Sequence, residues 1–325
     1  MKISCGLPPT KHVVEQAKHA ERLGYDRAWV FDSPALYGDL WIAVARIAEA
    51  TERIGVGTAV AVPNLRHVLV TASAIASVEE LAPGRLACAF GTGFTARLAL
   101  GQKALTWKYT RRYIEQLRAL LRGETVVVDG GACQMIHSPG FAPARPIDTP
   151  LLVAALGPKG ISIAKEIGDG VMSGSEPIPD FDWSALVVSG TVLDAGEDHT
   201  TPRVVDAAGP WFVTSYHGMF EMAPELIDTL PGGPEWRAAL EQERPEGERH
   251  LALHEGHVVA VTDRDRPIIE AAGPGLLDWS WTGDRAAVRA KRDEAEAAGA
   301  TEVLYCPSGP DVARELDAFA DAVLP

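Results

Sequence analysis

Cysteine is scarce in this chain, and none of it is spaced for a metal or redox motif. The four cysteines are Cys5, Cys88, Cys133 and Cys306, with no C-x-x-C among them. Cys5, Cys88 and Cys306 lie in or at the end of apolar, strand-like runs, which reads as buried free thiols in a reducing cytoplasm. Cationic stripes are missing too: 30 Lys and Arg stand against 44 Asp and Glu, a net charge of −14, and the pI is about 5.1. This argues against nucleic acid and against an anionic membrane surface as partners. No apolar run reaches the roughly 18 residues a membrane helix needs, and the first residues lack the apolar core of a signal peptide. Neither G-x-S-x-G nor G-x-x-x-x-G-K-[ST] occurs, so neither a serine-hydrolase elbow nor an NTPase phosphate loop is indicated. Internal repeats and low-complexity tracts are also missing.

What is present is a long, core-forming α/β pattern. The 325 residues are 46% hydrophobic, enough for one large barrel or two ordinary domains. The stretch Ile54–Arg97 sets the pattern. A short apolar strand over 54–62 stops at Pro63, a helix runs over 68–81, and Pro83-Gly84 turns the chain into a strand over 85–90. That strand ends in Gly91-Thr92-Gly93. Strand, helix and strand make a parallel β-α-β unit. Both strands finish in small-residue turns at one sheet edge, where parallel folds place ligands; a tight turn alone also calls for glycine.

The alternation continues on both sides. Strands are expected at 2–7, 27–31, 151–155, 170–172, 204–211 and 301–305. Helices are expected at 11–23, 40–51, 108–122, 160–167, 183–195 and 311–323. Eight βα units suggest a single (β/α)8 barrel over residues 1–325, a TIM barrel, with a doubly wound open sheet as the alternative. Two stretches break the rhythm. Residues 123–150 read as a hairpin insertion. Residues 215–284, rich in Pro, Gly and Trp with helical pieces, read as an insertion of the kind that covers an active site.

Four motifs carry a family resemblance. They are Tyr25-Asp26-Arg27-Ala28-Trp29-Val30-Phe31-Asp32; Gly57 through His67; Gly84-Arg85-Leu86 through Gly93; and Val153-Ala154-Ala155-Leu156-Gly157-Pro158-Lys159-Gly160 with Ile167 through Val171. With them the chain resembles the luciferase-like, flavin-dependent oxidoreductases, and within these the branch that uses the deazaflavin coenzyme F420. The resemblance implies a bulge in the third strand with a cis bond at Ala59–Val60, supporting a flat ring. Asp32 and Val62 would sit near that ring, and Thr92 and Gly93 would offer it a hydroxyl and amides. Gly157, Pro158, Lys159 and Gly160 would hold the coenzyme phosphate, since a helix start favours an anion. Arg97 would either reach the coenzyme tail or substrate, or cap the barrel rim.

The chain departs from the sugar-phosphate dehydrogenases of that branch at the polar positions of chemistry. Their histidine after the second-strand Asp is Ser33 here, their tryptophan four residues on is Tyr37, and their glutamate after Thr92-Gly93 is Phe94. That particular reaction is therefore not expected. Tyr37, Trp41, His67, Phe94 and Trp107 suggest a more apolar substrate pocket. Tyr37 and Asp32 are the candidate catalytic groups, Tyr37 as proton donor or carbonyl orienter, with a rim aromatic as its structural alternative. His250, His254 and His257 have the spacing of one helical face, yet Leu251–Val261 reads as partly strand-like, and no zinc is expected there.

These readings give a cytoplasmic oxidoreductase that transfers hydride between reduced F420 and a small, apolar organic substrate. The alternatives are an FMN-dependent monooxygenase of the same fold and a non-catalytic flavin-binding or structural relative. A small-molecule substrate is the expected partner, with homo-oligomers allowed.

Overall fold

The computed structural model describes residues 1–324. Ten strands form: β1 Lys2–Leu7, β2 Arg27–Val30, β3 Gly55–Ala61, β4 Leu86–Phe90, β5 Val126–Val128, β6 Gly131–Cys133, β7 Leu151–Ala154, β8 Gly170–Ser173, β9 Ser184–Val188 and β10 Glu302–Tyr305. Eight of them close into a barrel in the order β1-β10-β9-β8-β7-β4-β3-β2, every pairing parallel. β5 and β6 pair as a separate antiparallel hairpin. The expected TIM barrel is present, with a hairpin insertion in 123–150. Among the described residues, no helix is long and apolar enough to cross a membrane.

Alternation along the strands builds the two faces of the wall. In β4, Leu86, Cys88 and Phe90 pack outward against the helices, while Ala87 and Ala89 point into the lumen. The lumen is plugged at its N-terminal end. Trp29 is fully buried there, and Gly57 leaves it room: a Cβ at Gly57 would stand 2.5 Å from the Trp29 ring. The Glu302 carboxylate accepts from Trp29 Nε1 at 2.7 Å and from Trp183 Nε1 at 2.6 Å. The Arg27 guanidinium lies 5.3 and 5.4 Å from the two indole rings. A closed lower end leaves only the upper end for a ligand.

Two expected elements exchange types. The expected helix over 183–195 is β9 followed by loop. Ala185-Leu186-Val187-Val188 is a short apolar, β-branched run, which suits a buried parallel strand. The expected strand over 204–211 is instead the helix Pro202–Phe212. Pro202 occupies its first turn, where a missing N–H costs nothing, and Val204, Ala207 and Ala208 bury at helical spacing. The strand-like reading of Leu251–Val261 is also corrected: a short helix, Arg249–Leu253, runs into turns. Between β9 and β10 the insertion builds its own apolar cluster around Trp236, Tyr216, Ile227 and Ile268.

Candidate active site

At the C-terminal ends of the barrel strands lies a cavity of about 650 Å³. Asp32 follows β2, Ala59, Val60 and Val62 belong to β3 and its end, and Gly91, Thr92 and Gly93 follow β4. Gly157 follows β7, Ser173 ends β8, and Cys306 follows β10; all of them line the cavity. Parallel strands in one closed sheet bring these scattered turns to one rim. Asp32, Val60, Thr92 and Gly157 thus share a face, as expected from the sequence.

β3 carries the irregularity that shapes the floor. Its register against β4 shifts between Thr58 and Ala61, where an extra residue is accommodated, and the Ala59–Val60 peptide is cis. Beyond the bulge, the Val62 amide donates to Asp32 Oδ2 at 3.0 Å. Arg66 Nη1 donates to both Asp32 oxygens at 3.0 and 2.8 Å, and Arg66 Nη2 to Asp39 at 2.8 Å. Burial pushes the Asp32 carboxyl above its ordinary range, against the pull of Arg66 and the Val62 amide. Asp32 therefore ties the end of β2 to the end of β3; its oxygens are occupied by protein donors. Gly93 has φ +76, and a Cβ there would stand 2.5 Å from Val62 Cγ1, so the rim closes only with glycine.

Ser33, Tyr37 and Phe94, the three departing positions, all line the cavity, and so does Trp107. The Tyr37 hydroxyl donates to the His257 carbonyl at 2.5 Å, and burial keeps that phenol well above its ordinary pKa. Its proton is thereby spent on holding the insertion.

Other expected site residues lie elsewhere. Trp41 is buried in the helix layer, packed with the apolar core, because its position on the helix Leu40–Ala50 faces the barrel wall. His67 is exposed and caps the helix Val68–Leu81, its Nδ1 accepting from the Leu69 amide at 3.2 Å. Arg97 Nε donates to the Lys103 carbonyl at 2.5 Å, closing the loop after β4, and Arg97 does not line the cavity. Gly157 opens the ten-residue helix Pro158–Ile167, with Pro158 in its first turn. Pro158 and Lys159 are exposed on that turn just outside the cavity. Gly160 is buried under the Trp107 indole, where a Cβ would stand 2.5 Å from the ring, so its role is packing.

The cavity is roofed by Trp211, Thr214, His217 and Gly218, which the sequence alone did not mark for it, together with His254 and His257. His217 Nδ1 and His257 Nδ1 stand 3.2 Å apart. Burial holds both imidazoles below their ordinary pKa, His257 well below, so both are neutral near pH 7. His250 does not join them; its ring packs near Gly101. The signal for His217 was absent from the histidine spacing, because it comes from a different helix, Thr214–Met222.

A flat ring fits this geometry. The cavity volume suits a compact ligand, its walls are largely small and apolar side chains, and the space beside the Gly157 and Gly174 backbones is open, with no heavy atom within 4 Å of where a Cβ would be. Comparison with known proteins agrees. Residues 3–213 match the family model for luciferase-like monooxygenases. A 5,10-methylenetetrahydromethanopterin reductase of Methanolobus tindarius is 31% identical over 212 residues, 62% of this chain and 60% of that protein. The enzyme of the same name from Archaeoglobus fulgidus is 26% identical over 321 residues, 95% of this chain and 93% of that protein. In structure, the coenzyme F420-dependent tetrahydromethanopterin reductase of Methanopyrus kandleri superimposes with a TM-score of 0.65 at 21% identity, covering 100% of this chain and 99% of that one.

Proposed function

The chain belongs to the luciferase-like monooxygenase family, and on that premise we propose that this oxidoreductase binds coenzyme F420 in the rim cavity and exchanges hydride with a small, largely apolar substrate. The observation that carries the reading is the β3 bulge at Ala59–Val60, which presents backbone and small side chains to the same cavity that the open Gly157 turn lines, two strands away. A flat ring would lie against that bulge, with the phosphate of its tail toward Gly157 and Lys159. The helix Pro158–Ile167 presents unpaired amides and the positive end of its dipole there. When bound, the deazaflavin supplies hydride chemistry at a ring carbon that stands where flavins carry a reactive nitrogen.

The protein's own residues do three things in this reading. The Asp32–Arg66 ion pair and the Val62 amide hold the bulge rigid against the ring. Phe31, Phe94, Trp107 and Trp211 exclude water and leave an apolar space for substrate. Tyr37 fixes the roof by gripping His257. Positioning and water exclusion are the contributions a protein makes when a coenzyme carries the reaction.

The test is an equilibrium titration of the purified apoprotein with F420 and, separately, with FMN, followed by ligand fluorescence. Saturable F420 binding at one site per chain, clearly tighter than FMN binding, is expected. Tight FMN binding with no F420 binding would assign the cavity to the oxygen-using flavin enzymes of the family instead.

A further inference from the structure

Three histidines in the roof have no task in hydride transfer, and their surroundings are not those of ordinary core imidazoles. His217 and His254 are each 2% exposed. His217 Nε2 and both ring nitrogens of His254 are buried without a hydrogen-bond partner. One nitrogen from each of His217, His254 and His257 lies within 4.8 Å of the others. Leaving buried polar nitrogens unpaired is unfavourable, so the arrangement calls for a partner at the inward His254 Nδ1 and for tautomers that point the outward His217 Nε2 and His254 Nε2 at the carboxylates of Asp265 and Glu221.

We propose that His217, His254 and His257 form a binding site for one divalent transition-metal ion of the zinc class, with the remaining position open to the cavity for an oxygen of the substrate. Three observations support the assignment. First, tetrahedral zinc with Zn–N near 2.0–2.1 Å sets its nitrogens about 3.3 Å apart, and His217 Nδ1 and His257 Nδ1 already stand at 3.2 Å. Second, the outward nitrogen of each ring faces an oxygen. Asp265 Oδ1 is 4.0 Å from His217 Nε2, Glu221 Oε1 is 3.4 Å from His254 Nε2, and Thr95 Oγ1 is 3.3 Å from His257 Nε2. Metal-bound histidines donate from their second nitrogen to such an oxygen, which fixes the tautomer and turns the other nitrogen to the ion; here only His257 Nε2 is within hydrogen-bond geometry, and the Glu221 and Asp265 carboxylates stand next to the other two rings.

Third, His257 is clamped. Tyr37 holds its carbonyl, Ser308 Oγ donates to the Val258 carbonyl at 2.5 Å, and Val258 itself has φ +56. A β-branched residue in that region is strained, and such strain persists where the surrounding structure enforces a particular geometry. An all-nitrogen donor set selects zinc-like ions over magnesium or calcium. Three protein ligands with a fourth position open are the pattern of catalytic sites, where the ion polarises a carbonyl or binds a hydroxyl oxygen. His250 is outside the group, but His254 and His257 are shared with it, so the proposed site runs against the expectation that these histidines bind no zinc and that the chain holds no metal.

The substrate-oxygen clause rests on the coenzyme reading above; metal binding does not. The experiment is titration of chelator-treated, full-length protein with Co2+ and Zn2+, read by visible absorption for cobalt and by calorimetry for zinc. Each variant is checked for folding by circular dichroism. About one equivalent per chain is expected, with the intense visible bands of four-coordinate cobalt. His254→Ala should abolish those bands and weaken zinc. Glu221→Gln keeps all three ligands and a partly exposed side chain, and should weaken zinc about 10–100-fold. His250→Ala should leave binding unchanged. No saturable binding, or affinity unchanged in both His254→Ala and Glu221→Gln, would overturn the proposal. F420 titration of the metal-free protein, run beside it, separates failure of the metal site from failure of the coenzyme reading.

Discussion

The Tyr37 hydroxyl donates to the His257 carbonyl at 2.5 Å, across 220 residues of sequence. This bond joins the turn after β2 to the insertion between β9 and β10, alongside the Thr95 and Ser308 contacts to the same segment.

Tyr37→Phe should therefore loosen the roof without emptying the cavity. The variant leaves the His257 carbonyl without its donor, at a cost of roughly 1–3 kcal/mol. We expect a lower urea midpoint and faster proteolysis within 250–262, with F420 affinity changed by less than threefold. Collapse of F420 binding in a folded variant would mean that Tyr37 touches the coenzyme directly.

The plug at the lower end of the barrel makes a stability prediction. Glu302 is 1% exposed and accepts from two indoles. Glu302→Leu strands both N–H groups and should cost roughly 2–6 kcal/mol. Glu302→Gln keeps one acceptor and should cost less. Urea unfolding with matched slopes measures the difference. Equal midpoints for wild type and Glu302→Leu would show that the cluster contributes nothing.

At the phosphate end, Lys159→Ala should weaken F420 binding by roughly tenfold to a hundredfold, the loss of a charge-assisted contact of about 1.5–3 kcal/mol. A phosphate-free fragment of the coenzyme should bind wild type and variant alike. Equal weakening of both ligands would place Lys159 away from the phosphate.

Thiol chemistry offers an independent check on the barrel. Burial pushes the Cys5 thiol up to about 12 and those of Cys88 and Cys306 higher still, which keeps all three protonated and unreactive at pH 8. Cys133, on the hairpin, is half-buried. A thiol reagent should modify one cysteine in the native protein and all four in urea, and Cys133→Ser should abolish the native reaction. Rapid native modification of Cys306 would show that the cavity floor is more open than described.

The barrel was largely legible because strand ends and helix starts announce themselves locally. Pro63, Pro83-Gly84, Gly91-Thr92-Gly93 and Gly157-Pro158 mark turns whose residue types follow from backbone geometry, and closure of the sheet brings those that follow β3, β4 and β7 to one rim, with Pro83-Gly84 at the other end. Val204–Trp211 misled because a short apolar run has no decisive period, and the Thr201-Pro202 start was the stronger signal. Trp41 and His67 read as pocket residues from their nearness in sequence, whereas helix rotation sends Trp41 inward to the core and His67 to a cap. His217 was invisible for the opposite reason. Its partners lie some forty residues on, and only the folded insertion brings Thr214–Met222 against the turn at His257.

The central claim, a deazaflavin seated on the β3 bulge, is tested most directly by a crystal structure of the protein with F420 bound. The account predicts the ring in van der Waals contact, about 3.5–4.0 Å, with the Ala59–Val60 backbone, and the phosphate at the amides beside Gly157 with Lys159 within reach. A ring bound elsewhere, with the bulge facing only solvent or side chains, would contradict it.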